Sequence, residues 1–562
     1  MYRLDEEKQL RFQLGYIHDR TTRQYGSEEI YYFAQDTVHT ATNRHDRLKT
    51  DCLNAEVNYE DNTVSRYTRE NFSFAGTWKS GVSDITGDNA IFQKIKNSQW
   101  ELKNYFNQLY TKEKYTWGIR SYIRYTHCSA SLTVAHRNLP ILFADNMLIA
   151  NCIYHRNELS SSDNISENTY RTVIGQTHES ILAEYEEMNT GNAYTDNALY
   201  GMRKINGVNY QLTGGFCGEL SSVKQENAYS AHSYSFYTVP RIEWERNDFL
   251  FTAATTVRWT HLPKQSYSRF CVSPFFCFRY KFTPRWKMSL LGSLDESEGG
   301  LKDIYPFRYR EDYRTVVKHT GKVPVTVRQL YTCYLEYKNT IKEFFWTLSA
   351  SYSHNRYNLI TERNYKDGNF YLSSVERNHS SHSYILNTIG SKGIYDWNLK
   401  TSLELTLARN EGKQLNEGIV QDYRYDYLCV EPKIVWAPSV FFEAEYKATV
   451  SCVGGGIGED TSLDPLWEVA QRLTLSLEFH DTEFRLSGEH FYNDLSKNQH
   501  LNIWLADVSL IHKAGKWRFA ASAINLFNKE QYRYTLYSAV QSYTSWIKLR
   551  PREFMVSVQY QW

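Results

Sequence analysis

Apolar and polar residues alternate with a period of two along much of the chain. The last stretch shows this most clearly, where Phe554, Val556, Val558, Tyr560 and Trp562 are separated by mainly polar residues. Successive side chains of a strand point to opposite faces, so such runs predict strands with one apolar face and one wet face. Similar runs occur at 10–16, 53–59, 344–352, 397–407 and 473–479.

The length and composition of these runs fit strands that cross a bilayer. The longer runs keep their alternation for roughly 9–11 residues, which is what a tilted strand needs to cross the hydrocarbon. Their apolar faces carry almost no Lys or Arg, each of which would cost roughly 2–4 kcal/mol at the bilayer midplane. The pattern therefore predicts an all-β fold, a large antiparallel transmembrane β-barrel of about 18–22 strands.

The connections between runs fall into two sizes. Tight turns are expected near 60–62 and 549–551, because these positions combine charged residues with Asn or Pro. Long polar loops are expected near 79–95, 158–205, 296–323, 358–380, 408–426 and 452–466. Ile181–Met188 is a candidate helix within one of them. Short turns on one rim and long loops on the other are typical of membrane barrels.

Composition narrows the class of protein. The chain has 562 residues with 45 Tyr, 28 Phe and 14 Trp, and Tyr and Trp suit a membrane–water interface. A mean hydropathy of −0.58 excludes a helical membrane protein but fits strands whose second face is polar. The net charge of +1 gives no electrostatic signal for nucleic acid. Since no linker divides the sequence, we predict a single barrel domain over 1–562.

Candidate chemistry is sparse, and we predict no catalytic residue, metal or cofactor. The nine Cys are scattered and favour isolated thiols on strands. Several further features have a functional and a simpler interpretation, and the simpler one is favoured for each. They are His379 with His382 (metal ligands or a polar loop), the Gly-rich run 453–458 (phosphate loop or flexible turn), Asp460 with Asp464 (calcium or loop), Asp295–Glu298 (solvated loop), and Tyr423, Tyr425 and Tyr427 (ligand contacts or girdle packing).

The C-terminal hundred residues resemble a known family. A strand from Gly515 runs into Asn525, Leu526, Phe527 and Asn528, and is followed by Arg550, Pro551 and the aromatic terminus. This order is similar to the C-terminal end of TonB-dependent outer-membrane receptors, most clearly over 466–562. The resemblance implies a 22-stranded barrel that takes up a large nutrient, such as a siderophore, glycan or peptide, using energy delivered by TonB.

The resemblance also implies roles for residues and partners. The apolar residues of the final strand, Phe554, Val556, Val558, Tyr560 and Trp562, resemble the signal that outer-membrane insertion machinery recognises. They also suit an aromatic rim facing lipid, and both roles hold together. The implied partners are outer-membrane lipid, the insertion machinery, TonB through an N-terminal plug domain, and a nutrient that the sequence does not identify.

The beginning of the chain departs from the family pattern. Alternation starts by Gln9 and no apolar export segment precedes it, so we expect the signal peptide and plug to be absent from this chain and the barrel to be N-terminally incomplete. An inactive receptor fragment or an open pore are therefore alternatives. A barrel enzyme is disfavoured because no catalytic cluster stands out, and a soluble propeller because no repeat of about 40–50 residues is found.

Overall fold

The computed structural model describes residues 2–3, 7–32, 37–87, 91–136, 171–174, 180–225, 227–311, 314–366, 368–458, 461–496, 499–537 and 541–560. These residues are almost all in strands, with short 3₁₀ turns at Pro263–Gln265, Leu301–Ile304 and Tyr395–Trp397. Within these ranges no helix has the length and apolar character needed to cross a membrane.

The strands are numbered in chain order. The first thirteen are β1 (Tyr2–Arg3), β2 (Lys8–Tyr32), β3 (Thr37–Asn62), β4 (Arg66–Gly87), β5 (Ile91–Lys112), β6 (Tyr115–His136), β7 (Arg171–Ile174), β8 (Ser180–Ile205), β9 (Val208–Lys224), β10 (Ala228–Arg246), β11 (Phe249–Leu262), β12 (Tyr267–Thr283) and β13 (Trp286–Glu298).

The remaining strands complete the chain. They are β14 (Arg308–Arg310), β15 (Thr315–Lys318), β16 (Val325–Asn339), β17 (Phe344–Lys366), β18 (Asn369–Ile394), β19 (Leu399–Asn416), β20 (Ile419–Ser439), β21 (Phe442–Ile457), β22 (Thr461–Phe479), β23 (Thr482–Ser496), β24 (Gln499–Ala514), β25 (Trp517–Ile524), β26 (Gln531–Tyr537), β27 (Gln541–Lys548) and β28 (Glu553–Tyr560).

All 28 described strands belong to one sheet, in which most neighbours along the chain pair antiparallel and two short contacts, β15 with β18 and β17 with β19, are parallel. Near the C-terminus, two wall strands are each interrupted by a turn: β25 continues as β26, and β27 continues as β28. The register indicates this, because β25 pairs with β28 in nearly the same register as β26 pairs with β27. Joining these two pairs and leaving out the four short strands β1, β7, β14 and β15 reduces the 28 described strands to 22 wall strands. This count lies at the upper end of the prediction and confirms the all-β, antiparallel fold.

The sheet curves round so that its last strands return to its first. β27 pairs with β2 from Tyr25↔Ile547 to Tyr31↔Gln541, and the Ser545 hydroxyl donates to the Gly26 carbonyl at 3.1 Å. Beyond this contact the ladder stays open: in the described part of the chain, residues 11–24 of β2 have no ladder partner on the edge away from β3, and residues 553–559 of β28 have none on the edge away from β25. We call this open line the seam.

Most of the predicted long loops are wrong. The described residues of 79–95, 358–380, 408–426 and 452–466 are largely strand, because the strands on either side are long, as β3 and β18 are with 26 residues each. Strands of this length extend beyond the alternating runs, and in their outer parts the alternation that marks a strand is lost. Among the described residues, 296–323 contains a long excursion from the wall, which is described below.

The predicted helix at Ile181–Met188 is also wrong. These residues lie in the first part of β8, where 183–188 pair with β6 and 180–183 pair with β7. Ladder pairing uses backbone groups that a helix would otherwise pair internally. The loop predicted over 158–205 is therefore strand from Ser180 onward, while 158–170 and 175–179 lie outside the described residues.

The wall is one sheet thick and has no central core. The described buried apolar residues form only small clusters, one with Ile85, Ile91 and Val134 and one with Ala231, Leu262, Ile304 and Val323. Large apolar side chains are instead exposed on one face, as Phe12, Leu14 and Tyr16 are in β2. We call this the outer face, and the opposite face, which carries Glu29 and Tyr31, the inner face.

Candidate functional site

A lateral row of aromatic side chains crosses the outer face from β12 to β21. Ladder partners lie side by side on one face of a sheet, so the register assigns the members of this aromatic row. They are Phe276, Gly292, Tyr331, Tyr352, Tyr384, Arg409, Asp426 and Gly454. The Tyr352 ring centroid lies 6.5 Å from that of Tyr331 and 5.1 Å from that of Tyr384.

The rows on either side of the aromatic row differ sharply in polarity. The polar row, toward the side where β2 meets β27, contains Leu294, Gln329, His354, His382, Glu411, Arg424 and Gly456. The apolar row, on the other side, contains Leu290, Cys333, Ala350, Leu386, Leu407, Leu428 and Cys452. The outer face therefore changes from polar to aromatic to apolar over four residues of each strand.

A second aromatic row bounds the apolar band at its other limit. Trp286, Tyr337 and Trp346 are ladder partners, and the Trp286 ring centroid lies 4.8 Å from that of Tyr337 and 6.0 Å from that of Trp346. In β16, six steps separate Tyr331 of the first row from Tyr337 of the second, about 20 Å along the strand. Aromatic residues thus border the apolar surface on both sides.

The inner face is polar and hydrogen-bonded. The Tyr237 hydroxyl donates to Asp196 Oδ1 at 2.6 Å, and the Arg120 guanidinium donates to the same hydroxyl at 3.1 Å. Nearby, the Asn192 amide donates to Glu219 Oε1 at 2.6 Å. These side chains satisfy one another without apolar packing, which suits a surface in contact with water.

Residues 299–311 and 314–324 form a strap across one mouth of the sheet. It leaves β13 and enters β16, but its middle contacts distant strands: β15 pairs parallel with β18, and the backbone N–H of Arg310 lies 3.0 Å from Glu186 Oε2 in β8. The Tyr305 hydroxyl donates to Gln225 Oε1 at 3.1 Å. Since β8 and β18 are eight wall strands apart, the strap bridges separate parts of the wall.

An ion pair fastens the strap to the first long strand. Arg314 Nη2 lies 3.6 Å from Glu29 Oε1, and the two side chains are only 14% and 13% exposed. Tyr31 donates to the same carboxylate, and its ring packs against that of Phe370 with the ring centroids 4.3 Å apart and the rings tilted by 46°. Together they enclose a polar cavity of about 150 Å³. Removing either charge would leave the other buried without its partner.

The strap also holds a partly buried histidine. His319 Nδ1 lies 3.2 Å from the Ser374 hydroxyl of β18, and the imidazole packs near the Tyr309 ring. Burial lowers the pKa of His319 from its usual value, while Asp303 and Glu311 act in the opposite direction. The neutral form is therefore favoured while the strap is in place.

The Asn-Leu-Phe-Asn motif forms the turn between β25 and β26. Asn525 adopts a left-handed conformation with φ of 53°, and its side chain is buried. Its amide nitrogen donates to the carbonyls of Lys529 and Arg550, each at 2.8 Å, and its amide oxygen accepts from the Lys529 N–H at 2.9 Å. One side chain thus joins the first C-terminal turn to the second, the turn with Arg550 and Pro551.

The other residues of the motif make fewer side-chain hydrogen bonds than Asn525. Asn528 is also left-handed, with φ of 50°, and its side-chain oxygen accepts from the Arg552 N–H at 2.9 Å. The Leu526 N–H donates to the Ala506 carbonyl at 2.8 Å, while Phe527 is exposed. Arg550 contributes its carbonyl to Asn525, and Pro551 lies between β27 and β28, where no ladder N–H is needed.

The final strand carries its apolar residues outward. Phe554, Val556 and Val558 of β28 are 75%, 81% and 56% exposed, and the Tyr560 ring packs 4.8 Å from that of Trp517. Trp562 lies outside the described residues. The alternation predicted for this strand is therefore seen up to Tyr560, and recognition by insertion machinery stays a prediction.

Other sequence candidates lie on strands rather than in loops. His379 and His382 are in β18, and His382 Nδ1 is 3.0 Å from the Tyr352 hydroxyl. The Gly-rich run 453–458 is mostly within β21 instead of forming a flexible turn. Asp464 lies in β22, and Asp460 is outside the described residues. In the described part of the chain, no three His, Cys, Asp or Glu residues are grouped as metal ligands would be.

Two further interpretations are corrected. Asp295–Glu298 ends β13 instead of forming a solvated loop, and Glu298 accepts from the Arg258 guanidinium at 2.7 Å. Tyr425 and Tyr427 flank Asp426, a member of the outer aromatic row, so they lie on the inner face and take no part in the outer girdle. Tyr423 shares their face. The eight described Cys are free thiols, as predicted, and Cys152 is not among the described residues.

Sequence reasoning missed the strap. Its contacts join residues more than a hundred positions apart, such as Arg310 and Glu186, and a single sequence contains no signal for such pairing. A local sign was present, because Tyr305, Phe307 and Tyr309 alternate with other residues inside a segment predicted to be a polar loop. Aromatic alternation is unusual for a solvated loop.

Comparison with known proteins returned structural neighbours alone. No family model and no curated protein matches the chain. The siderophore receptor PirA from Pseudomonas aeruginosa is 10% identical, with a TM-score of 0.37 over 94% of this chain and 81% of that chain. The copper transporter OprC is 7% identical, with a TM-score of 0.42 over 95% and 83% of the two chains. The ferric yersiniabactin uptake receptor FyuA from Yersinia pestis is 9% identical, with a TM-score of 0.37 over 96% and 80%. At these TM-scores the similarities assign neither a cargo nor a mechanism.

Proposed function

We propose that residues 1–562 form one β-barrel domain of the cell outer membrane, the wall of a receptor for TonB-dependent uptake of a large nutrient. A siderophore, a glycan or a peptide would each suit such a receptor. The observation that carries the proposal is the order of rows on the outer face: polar, aromatic, apolar and again aromatic. Bilayers select this order, because Tyr and Trp partition to the interface and apolar residues to the hydrocarbon.

The dimensions support membrane placement. In β17, the outer residues from Phe344 to Tyr352 are eight steps apart, about 27 Å along the strand. At a tilt of about 40° this corresponds to about 21 Å across the membrane, near the apolar band of about 25 Å found in outer-membrane barrels. Open strand edges are not tolerated within hydrocarbon, so in the membrane the seam has to be closed by pairing of its two sides.

The inner face and the strap support a transport role rather than that of an open pore. A polar, hydrogen-bonded inner wall allows a hydrated cargo to pass without covalent chemistry, and the strap obstructs one mouth until it is displaced. An open pore shares the wall but would conduct ions without energy input. The C-terminal turn built on Asn525 supports the receptor family, since the residues that resemble the family are those that join the last strands.

The membrane barrel and the transport role are tested separately. For the barrel, the purified full chain in detergent is run on a gel with and without boiling; a folded barrel migrates faster unboiled, and equal mobility would contradict the proposal. For transport, cells that produce the barrel together with an exported plug domain are given labelled ferric siderophore, oligosaccharide or peptide, with and without functional TonB. Accumulation that needs TonB is expected for one cargo class, whereas accumulation independent of TonB would support an open pore.

A further inference from the structure

The inner face contains a large patch without charged side chains. Ladder pairing brings together every second residue of 349–357 in β17, 379–387 in β18, 406–414 in β19, 421–429 in β20 and 451–457 in β21. None of these residues is Asp, Glu, Lys or Arg, although 23% of the chain is charged. We call this surface the neutral patch.

The neutral patch is rich in hydroxyl and amide groups. One ladder row, for example, runs through Ser353, Ser383, Asn410, Tyr425 and Gly455. Hydroxyls and amides both donate and accept hydrogen bonds. Among the residues that the structure describes, the Asn410 amide and the Tyr425 hydroxyl have no side-chain hydrogen bond, so both are available to a ligand.

The patch also offers flat aromatic surface. Gly412 is the ladder partner of Tyr423, and a Cβ atom on Gly412 would be 2.7 Å from Tyr423 Oη and 2.8 Å from its Cζ. The Tyr423 ring therefore lies over the glycine, with its other side turned toward the interior of the barrel. In the next row, the Tyr357 and His379 rings stack with their centroids 4.8 Å apart and their planes 19° apart.

The neutral patch lies inside the mouth that the strap crosses. The strap pairs with β18 from Phe370 to Ser373, and the patch begins at His379, six residues or about 20 Å further along the same strand. A cargo that passes the strap therefore meets this surface. The inner face of β6 and β8 differs from it, because Arg120 and Asp196 form part of a charged network there.

We propose that the neutral patch binds the transported cargo and that this cargo is a neutral oligosaccharide. The C–H face of a pyranose ring can pack on a flat aromatic ring, while the sugar hydroxyls bond with donors and acceptors around it. An anionic chelate such as a ferric siderophore would lose hydration at this surface without meeting an opposite charge, which is unfavourable. The proposal rests on the receptor role above and narrows its three cargo classes to one.

The test measures binding to the full-length protein in the absence of TonB. Protein purified in a polyoxyethylene detergent, which has no sugar headgroup, is titrated by isothermal calorimetry at pH 7.5. The neutral probes are maltohexaose, cellohexaose and mannohexaose, and the competing probes are hexagalacturonic acid, ferric enterobactin and a capped Gly-Ser hexapeptide. At least one neutral hexasaccharide is expected to bind about tenfold or more tightly than every competing probe.

Three variants locate the site, and each is titrated with the tightest-binding hexasaccharide. Y423A/Y425A removes both rings and is expected to weaken binding about tenfold or more, whereas Y423F/Y425F removes the hydroxyls alone and should weaken it less. G412A pushes the Tyr423 ring off the wall without removing a polar group, and should weaken binding severalfold. Y384A is the matched control with unchanged affinity, because Tyr384 lies on the outer face of β18.

Two results would overturn the proposal. One is that no neutral hexasaccharide binds with a Kd below about 1 mM, and the other is that Y423A/Y425A and Y384A bind it equally. Tightest binding of ferric enterobactin or of the capped peptide would also contradict it, and TonB-dependent accumulation of that cargo would leave the receptor role standing. Equal gel mobility of boiled and unboiled protein would instead contradict the barrel itself.

Discussion

At the scale of single residues, the most informative position is Asn525. The sequence marks it as part of a motif, but its role depends on Arg550, which is 25 residues away and close only in the folded chain. Asn is suited to this position for two reasons. It tolerates the left-handed conformation better than other side chains with a Cβ, and its amide group both donates and accepts.

Replacing Asn525 is expected to destabilise the C-terminal strands. Asn525→Ala removes three side-chain hydrogen bonds at about 1 kcal/mol each and adds about 1 kcal/mol of backbone strain, so the free energy of unfolding should fall by about 4 kcal/mol. Urea unfolding in lipid vesicles measures the change. Asn528→Ala is the matched control, with the same backbone conformation but one side-chain bond, and should lose about 2 kcal/mol. Equal losses would contradict the role given to Asn525.

Because His319 is partly buried, docking of the strap onto the wall should depend on pH. Its pKa is lowered by burial, so the docked strap holds it neutral and is fully stable above the ordinary value of 6.5. As pH falls through that value the undocked form binds protons more readily, and docking weakens. Limited proteolysis should therefore cut the strap faster at pH 5.5 than at pH 7.5 in the full chain. His319→Asn should remove most of this difference; an unchanged difference would assign the effect to other groups.

At the scale of elements, the alternation of apolar and polar residues predicts where strands exist but not where they end. The run 344–352 is confirmed in β17, and the run 397–407 is confirmed in β19 from Leu399 onward, whereas Trp397 ends a 3₁₀ turn. The period of two follows from strands with one apolar and one polar face. Beyond the aromatic rows both faces meet water. There the backbone ladder alone continues the strand, and side-chain pattern gives no sign of it.

A charged side chain should destabilise the outer face of β19 more than its inner face. Leu407 belongs to the apolar row of the outer face, whereas Thr406 is on the inner face and accepts from the Asn387 amide at 2.9 Å. Leu403→Arg, on the same outer face but further into the apolar band, is expected to lower the free energy of unfolding in vesicles by about 2–4 kcal/mol, while Thr406→Arg should cost about 1 kcal/mol, chiefly for the lost hydrogen bond. A larger loss for Thr406→Arg would reverse the assignment of faces.

The strap should control conductance through the ion pair of Arg314 with Glu29. Arg314→Gln leaves Glu29 buried without this partner, at a cost of about 3 kcal/mol or more to docking. In planar bilayers, single-channel conductance is expected to rise severalfold relative to the unaltered chain. Arg314→Gln combined with Glu29→Gln removes both charges and should raise it less. The same conductance in all three proteins would show that the strap does not obstruct the mouth.

At the scale of the whole molecule, the strand count was predictable while the closure was not. The count follows from repetition of one local pattern, and the 22 wall strands agree with the resemblance carried by residues 525–551. Closure depends on which strand edges pair with each other. The period-two pattern of side chains gives no information about that pairing. The pairing of β2 with β27 and the seam beside it therefore emerge only from the folded chain.

The pairing of β2 with β27 also sets an order of events in time. The Ser545 hydroxyl and the Gly26 carbonyl are 519 residues apart in sequence. If the chain between them were disordered, bringing them together would cost about 3 kcal/mol more in loop entropy than closing a hairpin of about 20 residues. Hairpins should therefore form first and draw the ends together. Closure is then the last step of assembly, and it must wait until the ribosome has delivered the final strand.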